Sequence, residues 1–214
     1  MYEFILFDFD GTVFDTLEGI TKSVRYAINK HGMDAELDAL HCFAGPPLVD
    51  MFIERFGVDR DMGVQLTEDF RERYNPIGLY ECRVFPGVKE LLESLRGAGK
   101  KLAIATSKPQ NLAEELLARE NMTDYFDAIC GSLPTGNNSA KWQVVERAMR
   151  EIGADRKRAV LIGDTKYDVE GAIQCGIDCI GVKYGYAAPG EMEAAGAKCV
   201  VEDASALKKL LLNE

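Results

Sequence analysis

The sequence predicts an α/β fold in which a doubly wound, mostly parallel sheet carries an inserted α-helical domain. In this chain of 214 residues, apolar runs of strand length alternate with segments of helical period after residue 83, which is the pattern of βαβ units. Residues 16–82 break this rhythm, because their apolar residues recur at helical spacing and no convincing strand occurs. We therefore expect a core domain formed by residues 1–15 and 83–214, and a helical domain formed by residues 16–82.

The first strand is predicted at the apolar run Phe4–Phe7, which ends in Asp8, Asp10 and the turn residues Gly11-Thr12. Strand side chains alternate between faces, so Asp8 and Asp10 should point the same way. Two crowded carboxylates need a cation, a shared proton or water nearby. The carboxyl end of a strand is also where open α/β sheets bind ligands. An ordinary Asx turn at Asp10 is the alternative.

The helical domain is predicted to contain three helices. Apolar residues repeat at helical spacing from Leu17 to Ile28, from Leu48 to Phe56 and from Leu66 to Tyr74. The second of these helices follows the helix-breaking segment Gly45-Pro46-Pro47. The three helices are expected to form their own small bundle.

The later elements belong to the core domain. In chain order they are predicted as a strand at Lys101–Thr106, a helix at Pro109–Glu120, a strand at Phe126–Cys130, a helix at Ala140–Ile152, a strand at Arg158–Ile162, a helix at Asp168–Cys175, strands at Cys179–Val182 and Lys198–Val201, and a last helix from about Ala204 to Leu212. Ser107 is expected to cap the first of these helices, with Pro109 in its first turn.

Charge and composition exclude several classes of function. A net charge of −10 without a basic stripe argues against binding to nucleic acid. No apolar stretch has the length of a membrane span, and the N-terminus lacks a signal-peptide pattern, so we expect a cytoplasmic protein without a membrane partner. Six scattered cysteines do not form a disulfide framework, and two histidines cannot make a histidine-rich metal site.

Two features of the core domain suit an anion. Thr106 and Ser107 follow a predicted strand and precede a helix, whose free N–H groups can bind an anion together with the Thr106 hydroxyl. Simple helix capping is the alternative for this pair. Lys141 opens a helix, where an ammonium group opposes the helix dipole unless an anion lies close. A solvated lysine is the alternative there.

Asp164 and Asp168 follow another predicted strand, and Asp164 could also be a helix N-cap. Together with Asp8 and Asp10 they offer oxygen ligands without a histidine or thiolate cluster, which favours Mg²⁺ over zinc. A carboxylate that attacks a phosphate opposes another anion, and each unit-charge pair costs about 4 kcal/mol at 4 Å and an effective dielectric near 20. A cation and the lysine must therefore neutralise such a site.

Taken in order, these motifs resemble those of a known family. Asp8-x-Asp10-Gly-Thr, Thr106, Lys141 and Gly163-Asp164…Asp168 resemble the four motifs of the haloacid dehalogenase superfamily, in its phosphatase branch. Residues 16–82 resemble the C1 cap of that family, and the whole chain is most similar to its phosphoglycolate phosphatase-like group. Three short segments, Phe43–Leu48, Ala105–Pro109 and Tyr184–Tyr186, resemble bacterial members assigned as 5′-nucleotidases. The resemblance implies a Rossmann-like core with an inserted helical cap.

The resemblance also implies roles for the acidic residues. Asp8 would be the nucleophile that forms an aspartyl-phosphate. Asp10 would protonate the leaving alkoxide and then accept a proton from water. Mg²⁺ would be held by Asp8, the backbone carbonyl of Asp10 and Asp164. Asp168 would orient Lys141 or a water molecule on the metal.

By the same resemblance, the phosphoryl oxygens would contact Thr106, Lys141 and the backbone N–H groups near Gly11 and Ser107. The fourth motif departs from many relatives, because Lys166 and Tyr167 stand where those have arginine and histidine. We expect that difference to alter the loop rather than the chemistry.

The presence of Asp10 favours hydrolysis of a phosphate ester, because the dehalogenases and phosphonatases of the superfamily lack this second acid. The expected substrate is a small phosphorylated metabolite, such as a nucleoside 5′-monophosphate or a phosphoglycolate-like ester. A phosphomutase of the β-phosphoglucomutase type and, more remotely, a non-catalytic phosphate sensor are the alternatives. A monomer is expected, although a dimer stays open. Candidate residues for substrate choice are Thr16, Lys22, Arg25, Gly45, Pro46 and Lys108.

Overall fold

The computed structural model describes residues 1–133 and 140–213. The chain divides into two compact units, one formed by Met1–Phe14 and Val84–Glu214 and the other by Asp15–Arg83. The sequence also predicts a loop at Gly136–Ala140, ahead of Lys141, and residues 136–139 of that prediction lie outside the described residues. Among the helices that the structure describes, none combines the length and the apolar character needed to cross a bilayer.

The strands and helices have the following bounds. The strands are β1 (Phe4–Phe7), β2 (Phe14–Asp15), β3 (Arg83–Val84), β4 (Lys101–Pro109), β5 (Ala128–Ser132), β6 (Ala159–Gly163), β7 (Asp178–Val182) and β8 (Cys199–Val201). The helices are α1 (Leu17–Lys30), α2 (Leu48–Phe56), α3 (Arg60–Tyr74), α4 (Val88–Gly97), α5 (Gln110–Arg119), α6 (Lys141–Glu151), α7 (Lys166–Cys175), α8 (Glu191–Ala195) and α9 (Ala204–Leu212). Segments of 3₁₀ helix lie at Leu37–Phe43, Gly78–Tyr80, Thr123–Tyr125 and Arg156–Arg158.

The main sheet has the strand order β5-β4-β1-β6-β7-β8. Each neighbouring pair in it is parallel. β1 lies at the centre, where Phe4 is in register with Lys101 of β4 and with Ala159 of β6. β2 and β3 form a separate two-stranded sheet. The predicted fold class, a doubly wound and mostly parallel sheet with helices, is confirmed.

The core lies on both faces of the central strand. Ile5 and Leu6 are both fully buried, although alternation along a strand points them to opposite faces. Leu6 belongs to a cluster with Val144 and Val145 of α6 and Val169 of α7. On the far face α5 contacts β4, and α4 contacts α9. Because helices cover both faces, the strands are continuous apolar runs rather than alternating ones.

The helical unit is organised around α1. This helix contacts α3 and the 3₁₀ segment Leu37–Phe43. Its buried stripe includes Ile20, Val24 and Ile28, which recur at helical spacing. Gly19 lies so close to the 3₁₀ segment Gly78–Tyr80 that an added Cβ atom would be 1.9 Å from the carbonyl oxygen of Gly78. A residue without a side chain is therefore required at position 19.

The structure corrects the prediction at the end of β4. The strand was expected to end at Thr106 and Ser107 to cap the next helix, but β4 continues to Pro109, which is itself the N-cap of α5. The N-cap prediction for Ser107 is therefore wrong. The physical reason is tertiary pairing: beyond an irregularity in the ladder, Pro109 pairs with Ser132 of β5 and keeps the chain extended. Sequence reasoning also missed α4, which buries Leu91 and Leu95.

Replacing Gly19 with alanine should destabilise the helical unit by more than about 2 kcal/mol, because the backbone of Gly78 cannot move aside as a flexible side chain would. Gly97 is the matched control, since it also lies in a helix and an added Cβ there would meet nothing within 4 Å. Gly97→Ala should be neutral or stabilising by up to about 1 kcal/mol. Thermal denaturation of both variants checks this, and equal melting temperatures would contradict the packing described for α1.

Candidate active site

The polar residues predicted from the motifs gather where β1, β4 and β6 end. Asp8 directly follows β1, and its N–H donates to the carbonyl oxygen of Ile162 in β6 at 2.8 Å. Asp164 directly follows β6, and Thr106 lies near the end of β4. Parallel strands bring their carboxyl ends to one edge of the sheet. Residues far apart in sequence therefore share a site within the core unit.

Lys141 joins two of the carboxylates. It is the first residue of α6, only 9% of its side chain is exposed, and its Nζ atom lies 2.7 Å from Oδ1 of Asp8 and 2.6 Å from Oδ1 of Asp168. Burial disfavours the ammonium ion, but the carboxylates of Asp168 and Asp8 outweigh it and raise the pKa of Lys141 above its ordinary value. The lysine is therefore charged throughout the physiological pH range.

The two carboxylate oxygens of Asp168 make different contacts at the start of α7. Its Oδ2 atom accepts hydrogen bonds from the N–H of Asp164 at 3.2 Å and from the N–H and hydroxyl of Thr165, each at 3.0 Å. Its other oxygen faces Lys141. The N-cap of α7 is Thr165, so the alternative in which Asp164 caps this helix is wrong. The Asp164 side chain therefore does not cap α7.

Asp164 is held by residues from two loops. It is fully buried, and it accepts a hydrogen bond from the Thr12 hydroxyl at 3.2 Å and one from the N–H of Tyr186 at 2.8 Å. The Tyr184 hydroxyl in turn donates to the carbonyl oxygen of Thr12 at 3.0 Å. Gly11 has a φ of +81°, and an added Cβ would lie 2.1 Å from Oδ2 of Asp164. Glycine at position 11 therefore lets the first motif approach Asp164.

Sequence reasoning did not assign these supporting roles to Thr12, Tyr184 and Tyr186. Thr12 was part of the first motif, and Tyr184–Tyr186 carried a resemblance to a group of relatives. Neither pattern indicates that the two segments bind each other and Asp164. Such contacts depend on the loop after β7 returning to the loop after β1, which has no local sequence signal.

The Asp10 carboxylate is paired with Lys108. The Nζ atom of Lys108 lies 3.1 Å from Oδ1 and 3.4 Å from Oδ2 of Asp10. The backbone N–H of Lys108 donates to the hydroxyl oxygen of Thr106 at 3.2 Å, and Thr106 is buried whereas the Ser107 residue is exposed. Lys108 was predicted only as a residue for substrate choice, so its contact with the second acid of the first motif is new.

The acidic cluster has the chemistry of a divalent cation site. Asp8, Asp164 and Asp168 each offer an oxygen, and these oxygens lie within 4.8 Å of one another. Oδ1 of Asp8 and Oδ1 of Asp168 are buried, and each faces the ammonium group of Lys141, at 2.7 and 2.6 Å. Hard oxygen donors of this kind suit Mg²⁺.

The charges of the cluster also favour a divalent cation. Burial, followed by the nearby Asp168 carboxylate, raises the pKa of Asp8 to about 6 against the pull of Lys141. Burial and the neighbouring carboxylates of Asp168 and Asp8 raise the pKa of Asp164 well above its ordinary value. With Asp10 and Lys108 included, and with every group counted as ionised, four carboxylates and two ammonium groups carry a formal charge of −2. A divalent cation would balance that charge.

Five of the residues predicted for substrate choice lie in the helical unit: Thr16, Lys22, Arg25, Gly45 and Pro46. The two basic ones have acidic partners inside that unit. Lys22 lies 2.5 Å from Glu18 and 3.3 Å from Glu81, and Arg25 lies 3.0 Å from Asp34. To contact a substrate anion, Lys22 and Arg25 would have to exchange these acidic partners for it. The role of all five residues in substrate choice stays a prediction.

Comparisons with known proteins cover the whole chain. Residues 5–182 match the family model of haloacid dehalogenase-like hydrolases. The chain is 38% identical over 211 residues to a 5′-nucleotidase of Pseudomonas aeruginosa, covering 98% of this chain and 96% of that protein. It is 30% identical over 212 residues to a plasmid phosphoglycolate phosphatase of Cupriavidus necator, covering 97% and 92%. The crystal structure of a predicted phosphatase from Clostridium acetobutylicum matches at a TM-score of 0.95 and 37% identity, with both chains fully covered.

Replacing Asp164 with asparagine should stabilise the metal-free protein at pH 7, because it removes a carboxyl group whose ionisation is opposed by burial and by the neighbouring carboxylates. Asparagine can still accept from the N–H of Tyr186 and can donate to Thr12, so the hydrogen bonds are kept. We expect the melting temperature to rise by about 2 to 4 °C for each kcal/mol gained. The same variant should lose the further stabilisation that a divalent cation gives the wild type.

Asp127 is the matched control for this experiment. Burial opposes its charge, but the N–H of Leu102 and the side chains of Lys101 and Arg96 lower the pKa of this carboxyl. Asp127→Asn should therefore destabilise the protein. An Asp164→Asn variant that is less stable than the metal-free wild type at pH 7 would show that the cluster is not electrostatically strained.

Proposed function

Since the chain belongs to the haloacid dehalogenase-like hydrolases and is a phosphatase of that family, we propose that it hydrolyses a small phosphomonoester with Asp8 as nucleophile. The family resemblance carried by the four motifs is confirmed. The names of two relatives, a 5′-nucleotidase and a phosphoglycolate phosphatase, support nucleoside 5′-monophosphates and phosphoglycolate-like esters as the substrate classes.

The observation that carries this proposal is the environment of Asp8. Its carboxylate is buried at the centre of the sheet edge, with one oxygen 2.7 Å from Lys141 and with Asp164 beside it. An ordinary structural aspartate would not be kept in a buried cluster of acids that raises its own pKa. A nucleophile that must meet a phosphate needs a cationic partner, which Lys141 supplies here, and a divalent cation would balance the negative charge that remains.

In the first step an oxygen of Asp8 attacks the phosphorus atom and forms the aspartyl-phosphate, while the bond from phosphorus to the ester oxygen breaks. The electron pair of that bond goes to the ester oxygen, which takes a proton from the carboxyl group of Asp10. Lys141 neutralises charge on the phosphoryl oxygens, and the Thr106 hydroxyl donates a hydrogen bond to them.

In the second step Asp10 accepts a proton from a water molecule as the water oxygen attacks phosphorus. The bond from phosphorus to the Asp8 oxygen breaks, which releases inorganic phosphate and restores the Asp8 carboxylate. A bound Mg²⁺ would be held by Asp8, the backbone carbonyl of Asp10 and Asp164, and would offset the repulsion between the carboxylate and the phosphate. Asp168 keeps Lys141 in place between the two steps.

With Mg²⁺ present, the protein should release inorganic phosphate from at least one ester in a panel of nucleoside 5′-monophosphates, phosphoglycolate and sugar phosphates. Asp8→Asn should lower kcat/KM by at least about a thousandfold, because no nucleophile is left. Asp178→Asn is the control, since this aspartate begins β7 at the opposite end of the sheet and pairs with Lys198 at 2.6 Å. It should leave turnover close to that of the wild type.

Two outcomes of this panel would overturn the proposed function. Activity that survives Asp8→Asn would remove the nucleophile, and activity that is indifferent to EDTA would remove the metal. Transfer of the phosphoryl group to a sugar hydroxyl, seen as an isomerised sugar phosphate, would indicate the phosphomutase alternative instead.

The apparent affinity for Mg²⁺ should fall as the pH drops below about 6. The pKa of Asp8 is raised to about 6 in the metal-free site, so below that pH the carboxyl is protonated and the proton competes with the cation. Each proton displaced weakens apparent binding about tenfold for every pH unit below the pKa. Calorimetric titration of Mg²⁺ from pH 5 to 7 measures this, and an affinity that is constant over the range would contradict the assignment of Asp8 as a ligand.

A further inference from the structure

Lys108 has a side chain that is almost completely buried. Only 3% of it is exposed, and its ammonium group contacts both oxygens of Asp10, at 3.1 and 3.4 Å. Among residues 1–133 and 140–213, this lysine is the hydrogen-bond partner of the Asp10 carboxylate. Asp10 itself lies in the loop after β1, where its backbone forms an isolated β-bridge with Phe14.

Several contacts fix Lys108 in place. It lies on β4, and its backbone N–H donates to the hydroxyl oxygen of Thr106. The next residue, Pro109, pairs with Ser132 of β5. The Nζ atom of Lys108 is also 5.7 Å from the centre of the fully buried Phe9 ring. The ammonium group is therefore held by the sheet, and it is not a mobile surface charge.

This arrangement disfavours the simpler role of Lys108 as a ligand for the substrate. An ammonium group has three N–H donors, and the two oxygens of Asp10 take up two of them. To turn its charge toward an anionic group of a substrate, the lysine would have to weaken its contact with a carboxylate whose side chain is only 15% exposed. The existing contact instead directs the Asp10 carboxylate. A displacement of this carboxylate by about 1 Å would lower the rate of the step that it catalyses about 100-fold.

We propose that Lys108 is a positioning residue that aims the Asp10 carboxyl group at the ester oxygen of the substrate. This inference rests on the proposed function, in which Asp10 gives its proton to that oxygen as the phosphorus–oxygen bond breaks. Lys108 itself gives up no proton and forms no covalent bond. Its contribution is the direction of the Asp10 side chain.

The leaving group separates this role from a structural one. Glycerol 3-phosphate has an alkoxide leaving group that needs a proton, whereas p-nitrophenyl phosphate releases a stable anion that does not. The parameter kcat/KM reports the steps up to release of the alcohol. Lys108→Met should lower kcat/KM for glycerol 3-phosphate about 100-fold and leave the value for p-nitrophenyl phosphate little changed.

Lys100→Met is the matched control. Lys100 is also a buried lysine next to β4, but its ammonium group donates to the carbonyl oxygen of Tyr2 at 2.7 Å. This variant should lose some thermal stability and keep the wild-type ratio of the two kcat/KM values. Phosphoglycolate is the third substrate, because it pairs a poor leaving group with a carboxylate that a lysine could bind.

The outcomes distinguish the inference from the function on which it rests. Equal losses on glycerol 3-phosphate and p-nitrophenyl phosphate in Lys108→Met would show a structural role and overturn the inference alone. A KM increase confined to phosphoglycolate would assign Lys108 to substrate binding and also overturn it. A wild-type protein that hydrolyses none of the three esters, in a broader panel as well, would overturn the proposed function. A loss confined to the two esters with poor leaving groups supports both.

Discussion

The site depends on the enforced proximity of acids at one edge of the sheet. Asp8, Asp164 and Asp168 are buried, and each places an oxygen within 4.8 Å of the others. At an effective dielectric near 20, each such pair of charges opposes folding by about 4 kcal/mol at 4 Å. Lys141 offsets only part of this repulsion, since it is one cation shared between Asp8 and Asp168. The fold therefore holds a site that a divalent cation would complete.

The parallel sheet makes this arrangement possible, because it supplies the rigidity that opposes the repulsion. Asp8 and Asp164 directly follow β1 and β6, neighbouring strands whose residues are paired in register. Lys141 and Asp168 come from the first turns of α6 and α7, which pack on the same face of the sheet. Hydrogen bonds from backbone N–H groups and from Thr165 keep Asp168 aimed at Lys141. The stability of the rest of the core offsets the electrostatic repulsion within this acidic cluster, as is common at active sites.

The fold class and the residues of the central cluster could be predicted from sequence, because apolar periodicity and the polar residues at strand ends are local patterns. What the sequence could not show was set by tertiary pairing. β4 runs past Thr106 to Pro109 because it pairs with β5, and this extension carries Lys108 to Asp10. The support of Asp164 by the N–H of Tyr186 is likewise a contact between distant loops. The roles of Thr16 and the other residues of the helical unit stay predictions, since they depend on a bound substrate.

The central claim is that the acids at this edge of the sheet share one divalent cation. Crystals grown with Mn²⁺ in place of Mg²⁺ test it most directly, because the anomalous scattering of manganese locates the ion independently of the protein. We predict one strong anomalous peak in contact with carboxylate oxygens of both Asp8 and Asp164. A peak bound elsewhere on the core unit, or no peak at saturating Mn²⁺ while Asp8 keeps its contact with Lys141, would contradict the account.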